Sequence, residues 1–231
     1  WVDVRRHDFD AKASSFTSSD ATLAQIWNIC RNAVEMNSQG GYLDCPTREK
    51  GPYLGDAAIT GRSQMWLTGD VSLMRKTLSD FRDSAKIHPG LMAVAPGSFM
   101  QEIAEYSLQY TLILREYWRY TGDAAFVTKM MDDVFDGLYG WFAKYEDAMG
   151  LLENPEGKWV LVDWPKNLRD DYDYDYAEKR ANTVLNAFYY GSLTTAAELL
   201  RAVGRDGDAY ETKAKRIGQA FASALVDANT G

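Results

Sequence analysis

"LTGDVSLMRK" at Leu67–Lys76 and "YTGDAAFVTK" at Tyr120–Lys129 repeat one pattern, and "VGRDGDAYETK" at Val203–Lys213 repeats it loosely. In each, an apolar helical run reaches a Gly and then an Asp, and a new helical run begins. Gly is suited to the left-handed residue that ends a helix, and Asp to capping the next one. In the first two copies an apolar residue follows the Asp by three positions (Leu73, Phe126) and a Lys by six (Lys76, Lys129). A short joint used repeatedly between antiparallel helices predicts stacked helical hairpins, either a solenoid or a closed toroid.

Working outward from these joints, the periodicity predicts about seven helices. They cover Ala21–Asn37, Asp56–Thr68, Val71–Lys86, Gln101–Tyr120, Ala124–Met149, Ala177–Val203 and Ala209–Asp227. The first opens after Asp20, a ready N-cap, and aligns Leu23, Ile26, Trp27, Cys30 and Val34 on one face, so Cys30 reads as a core residue. The alternating "WVDVRRHDFD" reads as an edge strand or an entering linker, giving a division into a 1–19 lead-in and a helical region 20–231. The other connections, 38–55, 87–100 and 150–176, are long, and long loops gathered at one end of such a fold are where function concentrates.

Composition narrows the chemistry. The 231 residues are 46% hydrophobic, enough for a sizeable core, and the net charge of −8 argues against a nucleic-acid surface. No run is long and apolar enough to span a membrane. Two cysteines cannot frame a disulfide scaffold. With only His7 and His88 as histidines, there is little material for a metal site or a Ser-His-Asp triad, and no cofactor is implied. In "RDDYDYDYAEK", Asp171, Asp173 and Asp175 mimic a calcium loop, but Tyr176 and Asn182 stand where such a loop needs Gly and Glu. It reads as a solvated acidic loop, or as a loop of tyrosines and carboxylates that contacts sugar. Seven Trp and fourteen Tyr suit a sugar cleft, although aromatic core packing is the commoner use of each ring.

The densest chemistry is "GGYLDCPTREKGPYLGDA", Gly40–Ala57, with two prolines, four glycines and three carboxylates between helices. Pro46 and Pro52 keep it irregular, so Asp44, Glu49 and Asp56 sit on a loop rather than on a helix face. Glycoside hydrolysis needs two carboxyl groups with different duties, one of them protonated near neutral pH. Carboxylate neighbours raise a pKa, whereas Arg48 and Lys50 would lower one, so burial and distance must decide. Asp44 and Asp56 also suit plain capping roles.

"DCPTREKGPYLGDA" closely resembles the signature of the bacterial α-L-rhamnosidases, glycoside hydrolase family 78. "VRRHDF" and "VDWP" at Val162–Pro165 fit the same family. The resemblance implies an all-α (α/α)6 toroid, here incomplete, that removes terminal α-L-rhamnose with inversion by a general acid and a water-activating base, and it makes 20–231 a partial catalytic barrel. It implies Glu49 as the acid. Asp44, Arg48 and Asp56 would hold sugar hydroxyls and tune that acid. Trp164, within Asp163-Trp164-Pro165, and Tyr106 would line the sugar, with Tyr53 near the acid. The family's base lies further along the barrel and is expected to be missing here, with Glu102, Glu105 and Asp163 as the only inward substitutes. The implied partner is a rhamnose-containing glycoside. An open half-ring would expose apolar faces, met by self-association or by the rest of the barrel. Cellular location stays open between bacterial cytoplasm and periplasm. Two rivals stand beside this reading: another exo-glycosidase or a lyase on the same toroid, and a non-catalytic sugar-binding or scaffold fragment.

Overall fold

A computed structural model describes residues 9–10, 13–87, 89–97, 102–160 and 181–229. Within them the chain forms α1 (Ala21–Asn37), α2 (Leu54–Thr68), α3 (Ser72–Ser84), α4 (Ala104–Thr121), α5 (Ala124–Phe142), a 3-10 turn (Ala143–Tyr145), α6 (Thr183–Ala202) and α7 (Asp208–Ala224). The helices α2, α4 and α6 lie side by side as one layer, and α3 packs on α5 behind them. The hairpins α2–α3, α4–α5 and α6–α7 therefore form an arc of a double-walled ring. Among the described residues, extended pairing is confined to isolated bridges.

The repeated joint explains the order. Gly69, Gly122 and Gly204 all take left-handed φ, at 73°, 65° and 77°. In the first two copies the Thr hydroxyl donates to the carbonyl four residues back, from Thr68 to Gln64 at 2.9 Å and from Thr121 to Tyr117 at 2.8 Å. The same oxygen accepts the Asp N–H at 3.1 Å in both. Asp70 then accepts the Ser72 N–H at 2.8 Å, Asp123 the Phe126 N–H at 3.0 Å, and Asp206 the Asp208 N–H at 2.8 Å. One side chain thus closes an outgoing helix and another opens the next, which satisfies donors that helix ends leave orphaned.

The core runs along α4, where Leu108, Tyr110, Ile113, Leu114 and Tyr117 are all buried. Its polar pins are satisfied. The Tyr110 hydroxyl donates to the Leu78 carbonyl at 3.0 Å. The Tyr139 hydroxyl lies 3.0 Å from Thr111 Oγ1 and 2.8 Å from Ser192 Oγ, tying α4, α5 and α6 together.

Several expected boundaries move. α5 ends at Phe142 rather than Met149, because Asp147 folds the chain into a turn and accepts the Met149 and Leu151 N–H groups at 2.8 and 2.9 Å. α6 starts at Thr183 rather than Ala177, because Ala181 bridges Glu153 and Asn182 caps the helix by accepting the Leu185 N–H at 3.0 Å. α2 starts at Leu54, so Asp56 sits inside its first turn and is not its cap. Of the lead-in, residues 13–19 carry no strand, and residues 1–8, most of the alternating stretch, lie outside the described residues.

The largest correction concerns α1. None of its residues is buried, and Cys30 is exposed, not core. Leu23, Ile26 and Ile29 are 47%, 50% and 70% exposed. The apolar stripe is present as expected, but among the described residues its main cover is one helix, α2, with the Phe16 ring stacked on Trp27. A groove of about 550 Å³ between them is lined by Trp27, Val34, Ile59 and Trp66. At the other end of the arc a second groove, of about 660 Å³, runs between α6 and α7 past Tyr190 and Phe221.

Candidate active site

The helices α2 and α4 start at the same end of the arc, and the long connections meet there. Tyr53 comes from the first connection, Val94 and Ala95 from the second and Trp159 from the third. All pack in one cluster with Ile103 and Tyr106. A bridge pairs Ile103 with Trp159, and the Ala104 N–H donates to the Trp159 carbonyl at 2.9 Å. Beside it, Lys158 Nζ donates to Glu102 Oε2 at 2.8 Å, with Glu102 almost wholly buried.

The acidic loop closes on itself next to this cluster. Asp44 Oδ1 accepts the Gly51 N–H at 2.8 Å, while the Asp44 N–H donates to the Gly51 carbonyl at 3.1 Å. Cys45 Sγ accepts the Glu49 N–H at 3.2 Å. Lys50 turns the chain at φ 55°, the only left-handed non-glycine among the described residues, which marks the loop as held in a costly conformation. The Tyr53 hydroxyl donates to Glu49 Oε2 at 2.9 Å. That bond fixes one carboxyl oxygen and leaves Oε1 toward solvent and toward Arg48, whose guanidinium is 4.0 Å away and 79% exposed.

Two glycines permit the aromatic packing. A Cβ on Gly51 would run into the Tyr53 ring, and one on Gly55 would lie 2.7 Å from the Tyr106 ring. The tyrosines therefore lie directly on the backbone of the acid loop and of α2.

Electrostatics separate the three carboxyls. Burial first, then the charge of Asp44 and that of Glu49, push Asp56 up to about 6. Its own backbone hydrogen bond at the start of α2 opposes this and loses. Burial, the Glu49 hydrogen bond and the surrounding carboxylates push the Tyr53 hydroxyl up to about 12. Burial and the charges of Asp56 and Glu105 do the same to Tyr106. Both phenols remain protonated donors at any working pH. Asp56 carries a proton through the mildly acidic range.

The structure thus brings Asp44, Glu49, Tyr53, Asp56 and Tyr106 together and leaves Arg48 on the solvent side. Asp163 and Trp164 lie outside the described residues, as does the acidic loop from Arg169 to Lys179. Of the substitutes considered for a base, Glu102 is engaged by Lys158 and Glu105 is 1% exposed. Among the described residues, no group of three His, Cys, Asp or Glu side chains could hold a metal. No helix there is long and apolar enough to cross a membrane. Trp159 escaped the reading of the sequence, because its place in the cluster depends on a bridge to the distant Ile103.

Residues 11–231 match the family described as the bacterial α-L-rhamnosidase six-hairpin glycosidase domain. The chain belongs to this family. An α-L-rhamnosidase of Formosa agariphila is 24% identical over 167 residues, 67% of this chain and 17% of that protein. Among solved structures, a Klebsiella oxytoca rhamnosidase with rhamnose bound superposes with a TM-score of 0.73 at 19% identity, over 94% of this chain and 42% of that one. A native α-L-rhamnosidase of Aspergillus terreus gives 0.69 at 15% identity, over 91% and 25%. A Streptomyces avermitilis α-L-rhamnosidase complexed with L-rhamnose gives 0.64 at 17%, over 86% and 19%. The chain spans less than half the length of each, and the arc of hairpins is part of the rhamnosidase-family toroid.

Proposed function

We propose that this chain carries the acid side of a site that hydrolyses terminal α-L-rhamnosides with inversion. The observation that carries the reading is the Asp44–Asp56 loop. With the first turns of α2 and α4 it gathers three carboxyl groups and two phenols at one rim of a rhamnosidase-family arc, with Glu49 held by Tyr53. Two of the structural relatives have rhamnose bound, which supports a rhamnose-containing substrate.

In this reading Glu49 protonates the departing oxygen through Oε1, the oxygen that Tyr53 does not hold. Asp44 and Asp56 hold sugar hydroxyls. Asp56, protonated up to about pH 6, serves there as a donor as well as an acceptor. Tyr106, Trp164 and Asp163 line the sugar, and Arg48 steadies the charge on Glu49 from the solvent side. The water-activating base comes from a part of the six-hairpin ring beyond these seven helices. The open flanks at α1 and at α6–α7 are then where further hairpins dock, or where copies of the chain associate.

The raised proton affinity of Asp56 favours a second reading, in which Asp56 itself donates the proton. Aryl α-L-rhamnoside turnover separates the two, measured with this chain and with the full product of its gene. If Glu49 is the acid, Glu49→Gln lowers kcat by about 10²- to 10⁴-fold on a poor leaving group and far less on an activated aryl one. Asp56→Asn then acts mainly on KM. If instead Asp56→Asn shows the leaving-group dependence, the roles are exchanged. If neither protein releases the aryl group, the rhamnosidase reading fails.

A further inference from the structure

We propose that Trp159 is a sugar-contacting wall of this site, an inference that rests on the functional reading above. Trp159 is half-buried and packs against Val94, Ala95 and Ile103, the patch that also seats Tyr53 and Tyr106. Those two phenols already border the carboxyls, Tyr53 by its bond to Glu49 and Tyr106 by its position over Gly55. The indole is thus the third ring seated on one apolar patch, and the three rings come from separate parts of the chain.

Its backbone is held firmly. The carbonyl of Trp159 accepts the first N–H of α4, its neighbour Val160 is buried, and Lys158 is tied to Glu102. Pockets for small ligands combine apolar and aromatic walls with a few placed polar groups, which is the composition found here. A pyranose offers a face of C–H groups to a flat ring, while its hydroxyls go to the carboxylates.

Calorimetric titration of the chain with L-rhamnose tests this, with circular dichroism and a thermal melt on each variant. Trp159→Ala is expected to weaken rhamnose binding about tenfold, equivalent to about 1.4 kcal/mol. Trp159→Phe, which keeps a flat ring, is expected to stay within about threefold of the parent. Trp159→Leu keeps apolar bulk without a ring and is expected to follow the alanine variant; it decides the matter if Trp159→Ala does not fold. A lower melting point with unchanged rhamnose affinity in the leucine or alanine variant would mean a purely structural ring and would overturn the proposal. Equal losses in the phenylalanine and leucine variants would overturn it too. Titrations are run on this chain and on the full product of its gene: if neither parent binds rhamnose, the functional reading falls and this inference with it, whereas a binding parent with an indifferent Trp159→Leu overturns this inference alone.

Discussion

Gly55 separates two demands that meet at one backbone atom. The Tyr106 ring needs the space where a Cβ would stand, and Asp56 needs α2 to begin where it does. Gly55→Ala is therefore expected to push Tyr106 off the loop, lowering stability by about 1–3 kcal/mol, as overpacking does. It should also raise KM for an aryl rhamnoside. Thermal melts and steady-state kinetics on the same sample check both. Asp56 gives a pH signature of definite sign. Its folded pKa is raised to about 6, so between about pH 4 and 6 the folded chain binds more protons than the unfolded one. Stability from this group is full below pH 4, falls as pH rises through 6 and is flat above. Asp56→Asn should flatten that portion of a stability-versus-pH curve in denaturant titrations. At this scale the closeness of Asp44, Glu49 and Asp56 was legible from their spacing, although Asp56 stands in the first turn of α2 and not on the loop. Which of them keeps its proton was not, because burial and the Asp44 charge decide it, and neither is local in sequence.

Among the elements, the Thr-Gly-Asp joint is the most transferable unit. Asp123 caps α5, accepts from the Tyr117 hydroxyl at 3.2 Å and pairs with Arg75, which also lies over the Phe126 ring at 4.3 Å. Removing it with Asp123→Ala should cost about 1–2 kcal/mol for the cap, measurable as a lower urea midpoint. Gly122→Ala forces a Cβ into the left-handed region and should cost about 1 kcal/mol, with Gly122→Asn closer to the parent. The same reasoning accounts for what the sequence revealed about elements. Helix ends at Gly-Asp joints were read correctly because their signals lie within three residues. The C-terminal end of α5 and the start of α6 were missed because Asp147 and the Glu153–Ala181 bridge bound those helices by contacts that periodicity does not report.

For the whole molecule, the arc has two apolar flanks. Ile59 and Trp66 are 75% and 65% exposed on the α1–α2 side, and Tyr190 is 44% exposed on the α6–α7 side. Surfaces of this kind seek partners. The isolated chain is expected to self-associate at high concentration, and Ile59→Glu to shift it toward monomer in sedimentation velocity without changing its melting temperature by more than a few degrees. An unchanged distribution would show that this flank is not the sticky one. The apolar stripe of α1 was legible as a stripe, but its exposure was not, since amphipathicity says that a face wants cover and not whether cover is present.

The joints after Thr68 and Thr121 close α2 and α4, the helices whose opposite ends meet at the acid loop and its aromatic cluster. At about 1.5 Å per residue, the rest of α2 puts the first joint about 18 Å along the helix from Asp56. These turns are therefore natural handles. A fluorophore, a surface linker or a short tag attached on this side of the arc would sit most of a helix length from the chemistry, leaving the rim free for immobilised assays or for grafting new substrate loops.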